Sequence, residues 1–314
     1  MQEPILRFLD LPAGQAGGQG RRLAYWDWPS EAATPVSTVV CVHGLSRQGR
    51  DFDCLARALR GRHRVVAVDV AGRGHSDRLS DPMQYQVPTY VVDLGHLLAH
   101  VRAQQPGVAL DWVGTSMGGL IGIGLASQPA TGLRRLVLND VGPVIRWEAL
   151  QRIGSYVGQD PAFASEQAGI DYLASISAGF GPHTAQQWAD LSRPMLRQRD
   201  GGWRLHYDPA IAVPLRAMLA VTDPQQVAAM VAAGEQALWA AYDAIAVPTL
   251  LLRGADSDLL APETAHEMTR RGPKAVCVEF PGVGHAPTLV SEDQIAVVRD
   301  FLLAPPAPSP GVGA

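Results

Sequence analysis

Cysteine is scarce and does not pair up: Cys41, Cys54 and Cys277 are odd in number, widely spaced and set among apolar residues. Neither a disulfide framework nor a zinc site is expected from such a set. The three read as small core residues in a reducing compartment. An excess of one charge is missing too, because 26 Lys and Arg face 30 Asp and Glu, for a formal net charge of -4. No run of Lys or Arg forms a polybasic patch, which argues against nucleic acid or an anionic membrane surface as partner and leaves a small molecule. No stretch of eighteen or more apolar residues occurs, and the first twenty residues lack a basic segment followed by an apolar one. Neither a membrane span nor an export signal is expected, and a cytoplasmic location follows from these absences.

What is present suits an ordinary globular protein: 314 residues, 47% hydrophobic and 18% charged, enough to bury a sizeable core. Short apolar runs at 36–42, 64–70, 109–113, 133–138, 247–252 and 275–280 are rich in Val and Leu and nearly continuous. Strands covered on both faces look like this. Between them, 51–59, 89–101, 118–126, 263–270 and 292–303 have helical spacing. The pattern predicts an α/β fold with a mostly parallel, doubly wound sheet. Residues 23–28 are expected to add an antiparallel edge strand.

The alternation stops between 143 and 246, where no convincing strand run is found and ten of the chain's 20 aromatic residues gather. The organisation expected is a core of 1–142 and 247–303, an inserted helical cap at 143–246, and a disordered Pro-, Gly- and Ala-rich tail at 304–314. The cap's rings either fill its own core or roof an apolar pocket. Trp147 and Trp188 are the pocket candidates, since they flank the cap's entry and its middle.

The chemistry is carried by a few short segments. Gly114-Thr115-Ser116-Met117-Gly118 ends a strand run and opens a helical pattern, the setting of a G-x-S-x-G nucleophile elbow. Gly114 and Gly118 are small enough to let strand and helix pass, and the helix directs free N–H groups at the reacting oxygen. A serine hydroxyl needs a base. His285, in the loop just past the last strand run, is placed where carboxyl ends of parallel strands converge. A carboxylate to orient it is offered by Asp256, Asp258 or Asp140, each following a strand run. His96 and His100 have i, i+4 spacing but no intervening Glu, so a helix face is read there instead of a metal site.

Taken with His43-Gly44 after the first long strand run and the loop 69–77, DVAGRGHSD, these motifs make the chain resemble the capped, lipase- and esterase-like α/β-hydrolases over about 23–303. The resemblance implies a serine, acid, histidine order ending in His285. It implies Asp258 as the acid, four residues before Pro262, with Asp256 or Asp140 as alternatives. It also implies an oxyanion hole from the backbone N–H groups of Leu45 and Met117, with Gly44 admitting the loop backbone and His43 bracing it. Arg47 is a further pocket candidate. No cofactor or metal is implied. Hydrolysis of a small, largely apolar ester or lactone through an acyl-enzyme on Ser116 is the expected activity. The alternatives are a carbon-carbon hydrolase of ring-cleavage diketones, whose Gly-Pro-Gly loop and Trp after the His are absent here, and a binding protein that has lost catalysis.

Overall fold

The computed structural model describes residues 3–12 and 20–305. Ten strands occur among them: β1 (Ile5–Leu11), β2 (Arg21–Trp28), β3 (Ser37–Val42), β4 (Arg64–Asp69), β5 (Ala109–Thr115), β6 (Leu133–Asn139), β7 (Leu196–Arg199), β8 (Gly202–Leu205), β9 (Thr249–Gly254) and β10 (Val276–Phe280). Eight of them form one sheet in the order β1-β2-β4-β3-β5-β6-β9-β10. β1, β2 and β4 pair antiparallel, and every neighbour from β4 to β10 is parallel. The antiparallel strand expected at 23–28 is therefore present, but it is not the edge. The edge is β1, whose seven residues are mostly exposed and carried too weak a pattern to be found.

Helices α1 (Asp53–Leu59), α2 (Val87–Gln104) and α3 (Met117–Ala126) lie among the first strands. Their side of the chain explains the near-continuous apolar strands. Alternate residues of a strand point to opposite faces, and both faces here are covered. Val40, Val66, Trp112 and Leu136 pack with Leu94 and Leu97 of α2 and Ile121 of α3. Val39, Val65, Val113 and Val137 pack on the other face with Leu55 and Leu59 of α1 and with the C-terminal helix. Each such side chain contributes roughly 1.5–3 kcal/mol of burial. Cys41 is fully buried in this layer, whereas Cys54 and Cys277 are half-buried, so the reading of all three as core residues holds only for Cys41.

Between β6 and β9 the chain leaves the sheet for α4 (Trp147–Tyr156), α5 (Glu166–Ile176), α6 (Ala185–Ser192), the β7-β8 hairpin, α7 (Val213–Leu219) and α8 (Pro224–Asp243). The hairpin corrects the expectation that this segment holds no strand. Its strands are four residues each and carry arginines at 197, 199 and 204, which hid them. The Asp200-Gly201 turn, with positive φ at both residues, was the signal available. Backbone bonds tie the insert to loops of the sheet: Gly74 N–H donates to the His206 carbonyl (3.0 Å) and Asp208 N–H to that of Gly72 (2.7 Å). After β9 come α9 (Pro262–Met268), β10 and α10 (Glu292–Leu303). Of the tail read as disordered, 306–314 lies outside the described residues.

Candidate active site

Ser116 occupies the single residue between β5 and α3, with φ 51° and ψ -116°, a conformation that L side chains adopt only under constraint. The constraint is visible on both sides. Ser116 N–H donates to the Asn139 carbonyl of neighbouring β6 (2.9 Å), and the Ser116 carbonyl accepts from Gly119 N–H (2.8 Å). A Cβ at Gly114 would lie 2.2 Å from the Gly118 oxygen, and one at Gly118 would lie 2.0 Å from the Val42 oxygen. Only glycine lets β3, β5 and α3 come this close. Gly44 differs, since a Cβ there would sit 3.7 Å from the Ser116 Cβ, an ordinary contact. A side chain at 44 would occupy space before the serine without preventing the loop's approach.

The histidine comes from the loop after β10. Ser116 Oγ–H donates to His285 Nε2 at 3.0 Å, and His285 Nδ1–H donates to Asp140 Oδ2 at 2.7 Å, the tautomer being assigned from these partners. Asp140, at the carboxyl end of β6, is fully buried. Its carboxylate also accepts from Gly254 N–H (2.9 Å) and Ser257 Oγ–H (2.6 Å).

Asp258 does not face the histidine. Its carboxylate takes two bonds from Arg152 of α4, at 2.5 and 3.0 Å, and its side chain is 47% exposed. The expectation that Asp258 orients His285 is corrected to Asp140. In the loop after β9 the residue that turns inward is Ser257, and Asp256 and Asp258 on either side of it are exposed. The sheet order explains why β6 can serve: it lies between β5 and β9, so a side chain at its end reaches the loop of each.

The loop after β3 borders the serine from the other side. His43 is fully buried, its Nδ1–H donating to the Gly44 carbonyl (2.6 Å) while Nε2 accepts from Val70 N–H (3.0 Å). Burial pushes this imidazole down to about 3, with the Arg73 and Arg47 charges acting the same way against the Gly44 bond. It is a neutral strut between the ends of β3 and β4. Arg73, in the 69–77 loop, was missed from the sequence, which gave no sign that it points inward. Fully buried, it donates to the carbonyls of Leu45 (2.8 Å) and Ala71 (2.7 Å) and to Tyr90 Oη (2.8 Å), and lies 3.7 Å from Met117 Sδ. It braces the two residues, Leu45 and Met117, that flank the serine. Met117 opens α3, so its N–H has no acceptor four residues back within the helix.

Ser116 and His285 open into a cavity of about 410 Å³ between sheet and insert, a volume typical of small-molecule sites. Leu45, Ser46 and Arg47 line it from the β3 loop, and Tyr156, Tyr172, Phe180 and Tyr207 line it from the insert. Some of the insert's rings thus line a pocket, while Tyr242 is fully buried, its Oη–H donating to the Met268 carbonyl of α9 (2.7 Å). Trp147 and Trp188 are not among the lining residues; Trp188 packs on His183, with ring centres 4.6 Å apart. Their choice rested on position in the chain alone, which says nothing of helix face. Gly284 N–H donates to the Gly179 carbonyl (2.7 Å), so the insert also holds the histidine's loop. Among the described residues no cluster of three or more His, Cys, Asp or Glu could hold a metal ion, and no helix is long and apolar enough to cross a membrane.

Comparison with known proteins places this geometry in context. Residues 39–300 match the family model described as the alpha/beta hydrolase family. The chain is 48% identical over 284 residues to a 3-hydroxybutyrate-oligomer hydrolase of Cupriavidus necator, across 89% of this chain and 92% of that protein. A pimeloyl-[acyl-carrier protein] methyl ester esterase of Aliivibrio fischeri is 23% identical over 283 residues, across 88% and 96% of the two chains. The crystal structure of an alpha/beta hydrolase from Novosphingobium aromaticivorans superposes with a TM-score of 0.78 at 34% identity, covering 96% of this chain and 99% of that one.

Proposed function

The chain belongs to the alpha/beta hydrolase family, and from that premise we propose that it is a serine ester hydrolase acting on short oligoesters of 3-hydroxybutyrate type. The observation that carries this reading is the hydrogen-bonded chain Ser116–His285–Asp140 at the floor of a mixed cavity. The 48% likeness to the 3-hydroxybutyrate-oligomer hydrolase, over nearly the whole of both chains, supports the substrate class. We read 143–246 as the cap that covers the site, and Leu45 and Met117 as the oxyanion donors.

Ser116 Oγ attacks the ester carbonyl as His285 Nε2 takes its proton, and buried Asp140 stabilises the imidazolium that forms. The oxyanion is met by the N–H groups of Leu45 and Met117, held in place by Arg73 behind them; removing such a donor typically costs about 3 kcal/mol of barrier. His285 then protonates the departing alkoxide, leaving an acyl-ester on Ser116. Water, deprotonated by His285, discharges the acid and restores the serine. Lining side chains such as Ile153, Leu173 and Phe180 suit the methyl-bearing backbone, and Ser46 and Ser177 offer hydroxyls to its carbonyls.

The test is hydrolysis of a purified 3-hydroxybutyrate trimer, followed by chromatography, in the native protein and in Ser116→Ala. The reading expects release of shorter acids by the native protein and a loss of several orders of magnitude in the variant. Turnover of a ring-cleavage diketone in place of the trimer would favour carbon-carbon hydrolysis.

A further inference from the structure

Two guanidiniums line the cavity, and they are held very differently. Arg47 donates to both oxygens of Asp51 (2.8 and 2.6 Å) and to the Leu191 carbonyl (2.9 Å), with the pair only 12% and 18% exposed. It is committed to joining the β3 loop to α6. Arg152 of α4 has its Nε and Nη2 on one carboxylate, Asp258, at 2.5 and 3.0 Å, and the two side chains are 43% and 47% exposed. An exposed pair of this kind contributes about 0–1 kcal/mol, so the two separate readily. Arg152, Asp258 and Tyr156, one turn along α4, line the same cavity as Ser116 and His285.

We propose that Arg152 is the subsite for the terminal carboxylate of the oligoester, which takes the place of Asp258 in the same two-pronged contact. This rests on the oligoester reading above. A guanidinium fork that binds one carboxylate through two parallel N–H groups binds another equally well. The substrate's own chemistry sets the direction. In an oligomer of a 3-hydroxy acid the alcohol side of every ester bond leads to the carboxyl end, so the single charge always lies on the leaving-group side. Anchoring that end puts the scissile ester a set number of units from it. The oligomer is then shortened from the carboxyl end, releasing acids of one length, while the hydroxyl-end portion is carried on Ser116.

The experiment compares three forms of the trimer: the free acid, its methyl ester, and the acid with its terminal hydroxyl acetylated. In the native protein kcat/KM for the free acid is expected to exceed that for the methyl ester by about fivefold, the upper scale of a half-exposed ion pair. Acetylation changes it far less. In Arg152→Gln the ratio of acid to methyl ester falls toward one, Arg152→Lys restores part of it, and added salt shrinks the native ratio. Equal turnover of acid and methyl ester by the native protein would overturn the subsite while leaving the oligoester reading in place. So would an Arg152→Gln variant that lowers both alike, since that is the behaviour of a strut between α4 and the β9 loop. No turnover of any of the three forms, with p-nitrophenyl esters still cleaved, would remove the oligoester reading and the subsite with it.

Discussion

Asp140→Asn is the substitution that tests the site most directly. The buried carboxylate receives three donors: His285 Nδ1–H, Ser257 Oγ–H and Gly254 N–H. An asparagine offers one acceptor oxygen instead of two and brings N–H groups of its own. Gly254 N–H, a fixed backbone donor, holds the amide oxygen on its own side, so the amide N–H faces the imidazole, which keeps a bond to position 140 by accepting at Nδ1; its proton then sits on Nε2, facing Ser116, and it cannot take the serine's proton. The equivalent change in a serine protease costs about 10⁴-fold in kcat, or about 5 kcal/mol of barrier at 1.36 kcal/mol per tenfold. Asp258→Asn breaks only the exposed contact with Arg152, worth about 1 kcal/mol or less. On a neutral ester such as p-nitrophenyl butyrate its kcat/KM is expected to change by less than about tenfold. Steady-state rates and the rate of fluorophosphonate labelling at Ser116 measure both variants, with circular dichroism to confirm that each is folded. Retention of more than about a tenth of the native kcat/KM by Asp140→Asn, or an equal fall in Asp258→Asn, would refute the assignment.

Gly118→Ala brings a methyl group within 2.0 Å of the Val42 oxygen, where no flexible side chain can yield. It is expected to lower stability by about 3 kcal/mol or to prevent folding, read as the urea midpoint, whereas Gly44→Ala, with its 3.7 Å contact, should fold normally. Acid should destabilise the protein below about pH 6.5 through its buried histidines. His43 is pushed down to about 3, and His63 and His206 to about 4, by burial, from an ordinary 6.5. The unfolded chain therefore binds protons that the native state refuses as pH falls from 6.5 toward 4, and the stability these neutral rings contribute above 6.5 is lost. Near pH 5 the three together give a slope of about 4 kcal/mol per pH unit, of which the opposite shift of buried Asp69, pushed up to about 6, offsets about 1. Urea titrations at pH 7.5 and 5 should show it, and His63→Gln should lower the slope by about 1 kcal/mol per pH unit; a flat profile would contradict the burial argument.

Much of the fold is written in local pattern. The parallel strands β3 to β6 and β9 announce themselves because burial on both faces demands nearly continuous Val and Leu, as in Ser37–Val42, while β10, at the sheet's edge with two exposed residues, shows an apolar run without that burial. Ser116 was legible for a related reason: its strained backbone needs glycine two residues to either side, and that need leaves a spacing in the chain. His285 followed from its place past the last strand. β1 and the β7-β8 hairpin were not legible, since an exposed strand of seven residues and charged strands of four lack the apolar period that burial imposes.

The remaining decisions belong to tertiary structure. Asp140, Asp256 and Asp258 each follow a strand in the same sheet, and nothing local separates them. Which one meets His285 depends on β6 lying between β5 and β9, and on Ser257 turning inward while its neighbours face out. Arg73 is likewise one arginine among many until the fold buries it behind Leu45 and Met117. The lining rings are set by helix face: Tyr156 looks into the cavity while Trp147, on the same helix α4, does not line it. Strand runs and glycine spacings are demands of the nearest neighbours along the chain, so they appear in it. The partner of a carboxylate and the face of a packed helix are set by residues more than a hundred positions away, and only the folded chain brings those together.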